Sequence, residues 1–241
     1  MRNLLIIARR ELGYILRSPI GFLVAALVLA VVGLLFNVRA LGGGAKLSTD
    51  VLVQFFFDLS GVIMIASVPI SMRLFAEERQ TGTLDLLLTS PIKDWQIVLG
   101  KFLGAFAFMG MLTAATIYMP LLIMVHGKIA AGHLFAGYLG IVLLAGGSLS
   151  VGIFGSALSK NQITAVFVTA FLLTAMVLFW LLAKVTDAPL KDLFMYLALH
   201  NRHFSTFKTG EVHLRDIVYY GSVCLFFLFA ATRVLESRRW R

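Results

Sequence analysis

The sequence predicts an all-α integral membrane protein with six transmembrane helices, an N-terminal amphipathic interfacial helix and one short cytoplasmic helix between the second and third spans. Three observations predict it. Hydrophobic residues make up 59% and charged residues only 14% of 241 positions, and the mean hydropathy of +0.91 is far above that of a soluble domain. Six segments, about 19–38, 55–74, 102–126, 134–158, 163–183 and 216–235, each supply the roughly 20 mostly apolar residues that a bilayer crossing needs. The charged residues gather at the ends of these segments, where a membrane protein meets water.

The first element is MRNLLIIARRELGYILRSP. Its apolar residues are interrupted by Arg9, Arg10, Glu11 and Arg17 before any long hydrophobic run, so it reads as mature protein and not as a cleaved signal peptide. Wound as a helix, Leu4, Leu5, Ala8, Leu12, Ile15 and Leu16 fall on one side, and Arg2, Arg9, Arg10 and Arg17 on another, with Ile6 among the arginines. That is the pattern of a helix lying in the membrane interface. Ser18 then caps the first span, with Pro19 at the first helical position, where a missing N–H costs nothing. The six spans leave one transmembrane domain, 1–241, made of the interfacial helix 1–18, the spans, a cytoplasmic loop 75–101 and an export-side connection 184–215. Gly42-Gly43-Gly44 is a flexible link between the first two spans.

The net charge of +9 does not point to nucleic acid, because the basic residues form no continuous groove interleaved with exposed aromatics. Lys and Arg number four before the first span, four in Arg73–Lys101, one at Lys160 and four after Ala231, against two, one and five in the other connections. This places both termini in the cytoplasm, consistent with an even number of spans; the five in Lys184–Arg215 oppose that orientation and are outweighed. The single cysteine, Cys224, lies in the last span, so no intramolecular disulfide forms.

Between the second and third spans, Arg73 to Gln80 continues the second helix out of the membrane and Gly82 ends it. Thr83 caps a new short helix with Asp85 in its first turn and Leu84, Leu86, Leu87 and Leu88 around it. Ser90-Pro91 forms a second cap, and Trp95 marks the return to the interface. Such a helix suits two settings, the lipid headgroups or a groove on another protein, and its pattern fits both.

The stretch EERQTGTLDLLLTSPIKDWQIVLGKFLG resembles the signature of type-2 ABC transporter permeases: a Glu-rich turn, Gly-Thr, an acidic residue, paired leucines, a Pro and a terminal Gly-Lys. The basic N-terminus and six-span layout share the resemblance. The segment HFSTFKTGEVHLRDIVYY, from His203 to Tyr220, is similar to the branch of the gliding-motility-associated and nitrous oxide reductase maturation permeases. The resemblance implies a permease subunit in a bacterial-type inner membrane, working with a cytoplasmic ABC ATPase, two per complex. It also implies a second permease chain, in a homo- or heterodimer, and leaves room for an extracytoplasmic auxiliary subunit. The short helix becomes a coupling helix, and the ATPase-facing residues become Arg9, Arg10, Glu11, Glu77, Glu78, Gly82, Thr83, Asp85, Leu86, Leu87 and Pro91. The cargo stays open among lipid, polysaccharide, peptide and small molecule, as does force transmission without transport.

The residues themselves are consistent with that division of labour. Gly100-Lys101 is followed by Phe102 and preceded five residues earlier by Trp95, so this is no phosphate-binding loop. ATP and Mg belong to the partner, no cofactor is expected on this chain, and without an H-E-x-x-H pair or a Ser/His/Asp set it does not read as an enzyme. The alternative is an ion-coupled secondary transporter or channel subunit without an ATPase partner. It is disfavoured because the middles of the spans carry no Asp, Glu, Lys or Arg, with Asp58 and Arg73 near the ends of the second. His200-x-x-His203, with His213 nearby, would place two imidazoles on one helical face as conceivable metal ligands. The plainer expectation is that Asp187-Ala188-Pro189 caps a helix bearing Leu190, Leu193, Phe194 and Leu197, with the histidines solvated beyond it. In the fourth span, Ser148, Gly152 and Ser156 recur every four residues, widened by Gly147, Gly155 and Ser159, a stripe for close helix packing within the chain or across a dimer, with a polar substrate path as the alternative.

Overall fold

The computed structural model describes residues 2–41, 47–84, 89, 92–126 and 129–239. Its helices are α1 (Arg2–Arg17), α2 (Pro19–Phe36), α3 (Ser48–Ser71), α4 (Arg73–Gln80), α5 (Asp94–Ala115), α6 (Tyr118–His126), α7 (Ala131–Leu158), α8 (Gln162–Val185), α9 (Leu190–Leu197), α10 (His203–Lys208) and α11 (Leu214–Arg239). Six helical stretches are long and apolar enough to cross a membrane: Pro19–Arg39, Ser48–Gln80, Asp94–Val125, Ala131–Leu158, Gln162–Val185 and Leu214–Arg238. The chain is a multi-pass membrane protein. The second and third stretches are longer than their apolar runs, because α3 begins at Ser48 and α5 at Asp94 and both carry polar turns beyond the apolar part.

Local chemistry sets the breaks. Ser18 has extended backbone and its Oγ accepts from Gly21 N–H at 3.0 Å, with Pro19 opening α2. Pro120 offers no N–H to the helix turn before it, and α5 gives way to α6 at Thr116, whose hydroxyl donates to the Thr113 carbonyl at 2.7 Å. Pro69 lies inside α3, and α3 passes into α4 at Met72.

The core surrounds α7, most of which is buried against α3, α5, α8 and α11. Small residues make this central place available. A side chain at Gly137 would strike the Phe56 ring and one at Gly140 the Phe207 ring, while Gly152 lies against Ser71 and Thr169 and Gly155 against Thr169. Ser148 Oγ returns to the Leu144 carbonyl at 2.7 Å. Ser156 does more: its Oγ accepts from Phe75 and Ala76 N–H, both at 3.1 Å, and donates to the Met72 carbonyl at 3.0 Å. A side chain from α7 thus satisfies backbone groups freed where α3 breaks into α4. The Gly152 and Ser156 positions of the stripe pack inside the chain.

Two expectations about the connection after α8 are corrected. Asp187 does not cap α9 with its side chain; Pro189 stands at the cap position with no side-chain bond, and only the Asp187 carbonyl is used, by Lys191 N–H at 3.1 Å. Of the three histidines, His213 is exposed as expected, but His200 and His203 are buried and do not share a helix. His200 is buried in the turn before α10, its Nε2 2.7 Å from Ser60 Oγ and its Nδ1 3.1 Å from Asn201 Oδ1. His203 opens α10 fully buried, with Nδ1 2.8 Å from Asp216 Oδ1, Nε2 3.0 Å from the Tyr196 carbonyl and its ring stacked on Tyr219. These bonds occupy both nitrogens of each ring and tie the connection to α3 and α11. Among the described residues no three His, Cys, Asp or Glu side chains gather as a metal site would require.

Candidate functional site

At the end of the bundle shared by α1 and the C-terminal end of α11, α1, α4 and α5 enclose a charged cleft of about 560 Å³. Amphipathicity docks α1 there. Its buried face is built from Ile7, Ala8, Glu11, Leu12 and Ile15, and it lies on Gly100 and Gly104 of α5. A methyl group at Gly104 would come within 2.7 Å of the Ala8 carbonyl oxygen and of Glu11 Cβ, so only glycine allows this approach. Of the apolar side read from the sequence, Leu12 and Ile15 pack on the bundle, while Leu5 and Leu16 are exposed. The reason is that the docking face is centred on Glu11, to which Lys101 supplies a buried counter-charge.

Lys101 is the hub. Its Nζ lies 3.1 Å from Glu11 Oε2 and 2.9 Å from Glu78 Oε1, with only 3% of the side chain exposed. Arg10 Nη2 also reaches Glu78 Oε1, at 3.3 Å. Beside this cluster, Arg73 Nε lies 2.8 Å from Glu77 Oε2, Tyr14 Oη donates to Glu77 Oε1 at 2.8 Å, and Arg73 Nη1 donates to Ser18 Oγ at 2.7 Å. The hydrogen bond to Glu77, reinforced by desolvation, raises the Tyr14 hydroxyl above its ordinary range and keeps it a donor. One of six charged groups is lightly held: Arg10 is largely solvent-exposed, so its pair is worth little. The buried Lys101 pairs are a different matter, since losing the cation strands two carboxylates.

The far side of α4 is tied down as well. Arg79 donates to the Ser159 carbonyl at 2.9 Å, and Arg238 of α11 to the Ala157 and Leu158 carbonyls at 2.6 and 3.1 Å, so two cations close the C-terminal end of α7. After α4, Thr81 follows and Gly82 adopts φ +72°, a left-handed conformation that stops the helix. Thr83 Oγ1 turns back toward the Glu78 carbonyl at 3.3 Å, and Leu84 is buried in the core. Asp85, Leu86, Leu87 and Pro91 lie outside the described residues, as do Leu88 and Ser90.

The structure therefore brings Arg10, Glu11, Glu77 and Glu78 together, leaves Gly82 and Thr83 exposed beside them, and sets Arg9 on the outer face of α1. Glu77 and Glu78, which the resemblance places facing the ATPase, have their charge matched by Arg73, Lys101 and Arg10 of the same chain. Tyr14, Arg73 and Lys101 were missed as site residues. For Lys101 a signal existed, since a cation inside an apolar run next to Gly100 and Gly104 needs an acid nearby.

A family described as ABC-2 family transporter protein matches residues 36–200. The chain belongs to the ABC-2 transporter family. The match covers α4, the loop after it, α5 and α7, and so includes most of the cleft. This ABC-2 chain is 30% identical over 159 residues to the probable multidrug ABC transporter permease YbhR of Escherichia coli strain K12, and equally to that of Escherichia coli O157:H7. The alignment takes in 65% of the ABC-2 chain but 40% of each of these longer relatives.

Proposed function

We propose that the chain is the permease subunit of an ATP-binding cassette transporter, coupling ATP hydrolysis by a separate cytoplasmic subunit to outward movement of a substrate or to force transmission across the inner membrane. Both termini face the cytoplasm in this reading. A second permease chain and two ATPase subunits complete the assembly, and ATP and Mg sit on the ATPase subunits. The observation that carries the proposal is the Lys101 hub, which makes one block of α1, of α4 before the segment 83–91 and of α5 after it. A push on that loop has a rigid element to act on, and the break at Met72 passes it to α3 and α7. Gly82, Thr83, Asp85, Leu86, Leu87 and Pro91 form the proposed ATPase-facing segment, with Arg10, Glu11, Glu77 and Glu78 as the block behind it. Family membership supports the transporter reading, and the likeness of 203–220 to the gliding-motility and nitrous oxide reductase maturation branch supports a narrower placement.

The test is recovery of the ATP-hydrolysing chain on tagged, detergent-solubilised permease. Leu86→Asp with Leu87→Asp places charge in an apolar contact, costing about 2–4 kcal/mol per hot-spot position, and loses the partner while insertion stays normal. Full recovery and full coupled activity in that variant would reduce the loop to a headgroup-bound turn.

A further inference from the structure

We infer that the outer face of α1 is a binding surface for anionic phospholipid headgroups, formed by Arg2, Arg9 and Arg17. The docking of α1 separates its arginines into two sets. Arg10 turns to Glu78 and belongs to the cleft. Arg2, Arg9 and Arg17 are exposed, and none of them has an acidic partner among the described residues. The helix's one acid, Glu11, is buried on the opposite side against Lys101, so the outer face carries positive charge alone.

Apolar residues flank those arginines in an order that fits a lipid surface. With 3.6 residues per turn, Leu5 and Leu16 stand between the buried flank of Leu12 and the stripe of Arg2 and Arg9, and both leucines are exposed, by 65% and 42%. Ile6, 59% exposed, lies on the other side of the same stripe. Exposed leucines bracketing unpaired arginines are poorly suited to water, and they suit a boundary where methyl groups enter the acyl region and guanidiniums meet phosphate. Chain connectivity fixes the depth: Arg17 is two residues before Pro19, where the first membrane-crossing stretch starts. Guanidinium groups bind phosphate oxygens bidentately, and a cation at an anionic membrane surface gains roughly fivefold in partition.

The full-length chain alone, purified in detergent, gives the test. It is titrated with equal phosphatidylglycerol and phosphatidylcholine, and bound lipid is counted by native mass spectrometry. Wild type retains phosphatidylglycerol preferentially. Arg2→Gln with Arg9→Gln and Arg17→Gln brings the two lipids close to parity, while Lys93→Gln with Lys160→Gln, two exposed lysines at the same end of the bundle, keeps the preference. Equal binding of both lipids by wild type overturns the inference, as does a preference that survives the arginine variant or falls equally in the lysine control. If the arginine variant keeps its lipid preference and loses the ATP-hydrolysing chain instead, the face belongs to a protein partner and the lipid assignment is wrong. The lipid measurement needs no ATPase, so its failure is distinct from failure of the transporter reading.

Discussion

Lys101 Nζ lies 2.9 Å from Glu78 Oε1, joining a residue about two turns into α5 to one near the end of α4. The same nitrogen holds Glu11 of α1, so one cation fastens three helices at the end of the bundle where the proposed partner docks.

Lys101→Met removes that cation and leaves Glu11 and Glu78 facing each other in a largely buried site. The expected loss is about 3–5 kcal/mol, read as a lowered thermal midpoint of the detergent-purified chain. Adding Glu11→Gln and Glu78→Gln restores much of it, because the stranded charges are then gone. A midpoint unchanged by Lys101→Met would show that the pairs do not hold the block together.

Gly104→Val forces a side chain into the Ala8 carbonyl and the Glu11 side chain. The helix most easily displaced is α1, which rests on the bundle by one face. Amide hydrogen exchange over 2–17 accelerates while α7 and α11 keep their protection. Uniform protection across the chain would argue against this contact as the α1 anchor.

Ser156→Ala leaves the Phe75 and Ala76 N–H groups and the Met72 carbonyl without the hydroxyl that serves them. The cost is about 1–3 kcal/mol, concentrated at the α3–α4 break. Faster exchange at residues 75 and 76 than at Leu59 or Ile63 checks it; equal exchange at both places would mean that the break satisfies itself.

Burial lowers His200 from the ordinary histidine value of 6.5, with the Lys208 charge adding to it and the bond to Asn201 opposing it. A depressed folded-state value means that the unfolded chain takes the proton first as pH falls. Stability held above about pH 6.5 is therefore lost progressively on acidification toward the folded value. The slope of thermal midpoint against pH below 6.5 is steeper in wild type than in His200→Gln, in which Ser60 keeps a hydrogen-bonding neighbour. Parallel slopes would remove His200 from the pH response.

Six spans, an N-terminal amphipathic helix, the Ser18-Pro19 start and the Gly82 stop can be read from the residues alone. Apolar length, a capping hydroxyl and a left-handed glycine act over a few residues, so they are legible without knowing what packs where. It is the packing of the helices that brings Lys101 to Glu11 and Glu78, sets Ser156 against Phe75 and Ala76, and buries His200 and His203. The same packing turns Leu5 and Leu16 outward and Glu11 inward. In a bilayer a span is apolar on the side that faces lipid and on the side that faces protein, so periodicity does not mark the inner face. The pairs that do mark it join residues up to 140 positions apart, and they exist only once α7 has drawn the other helices around it.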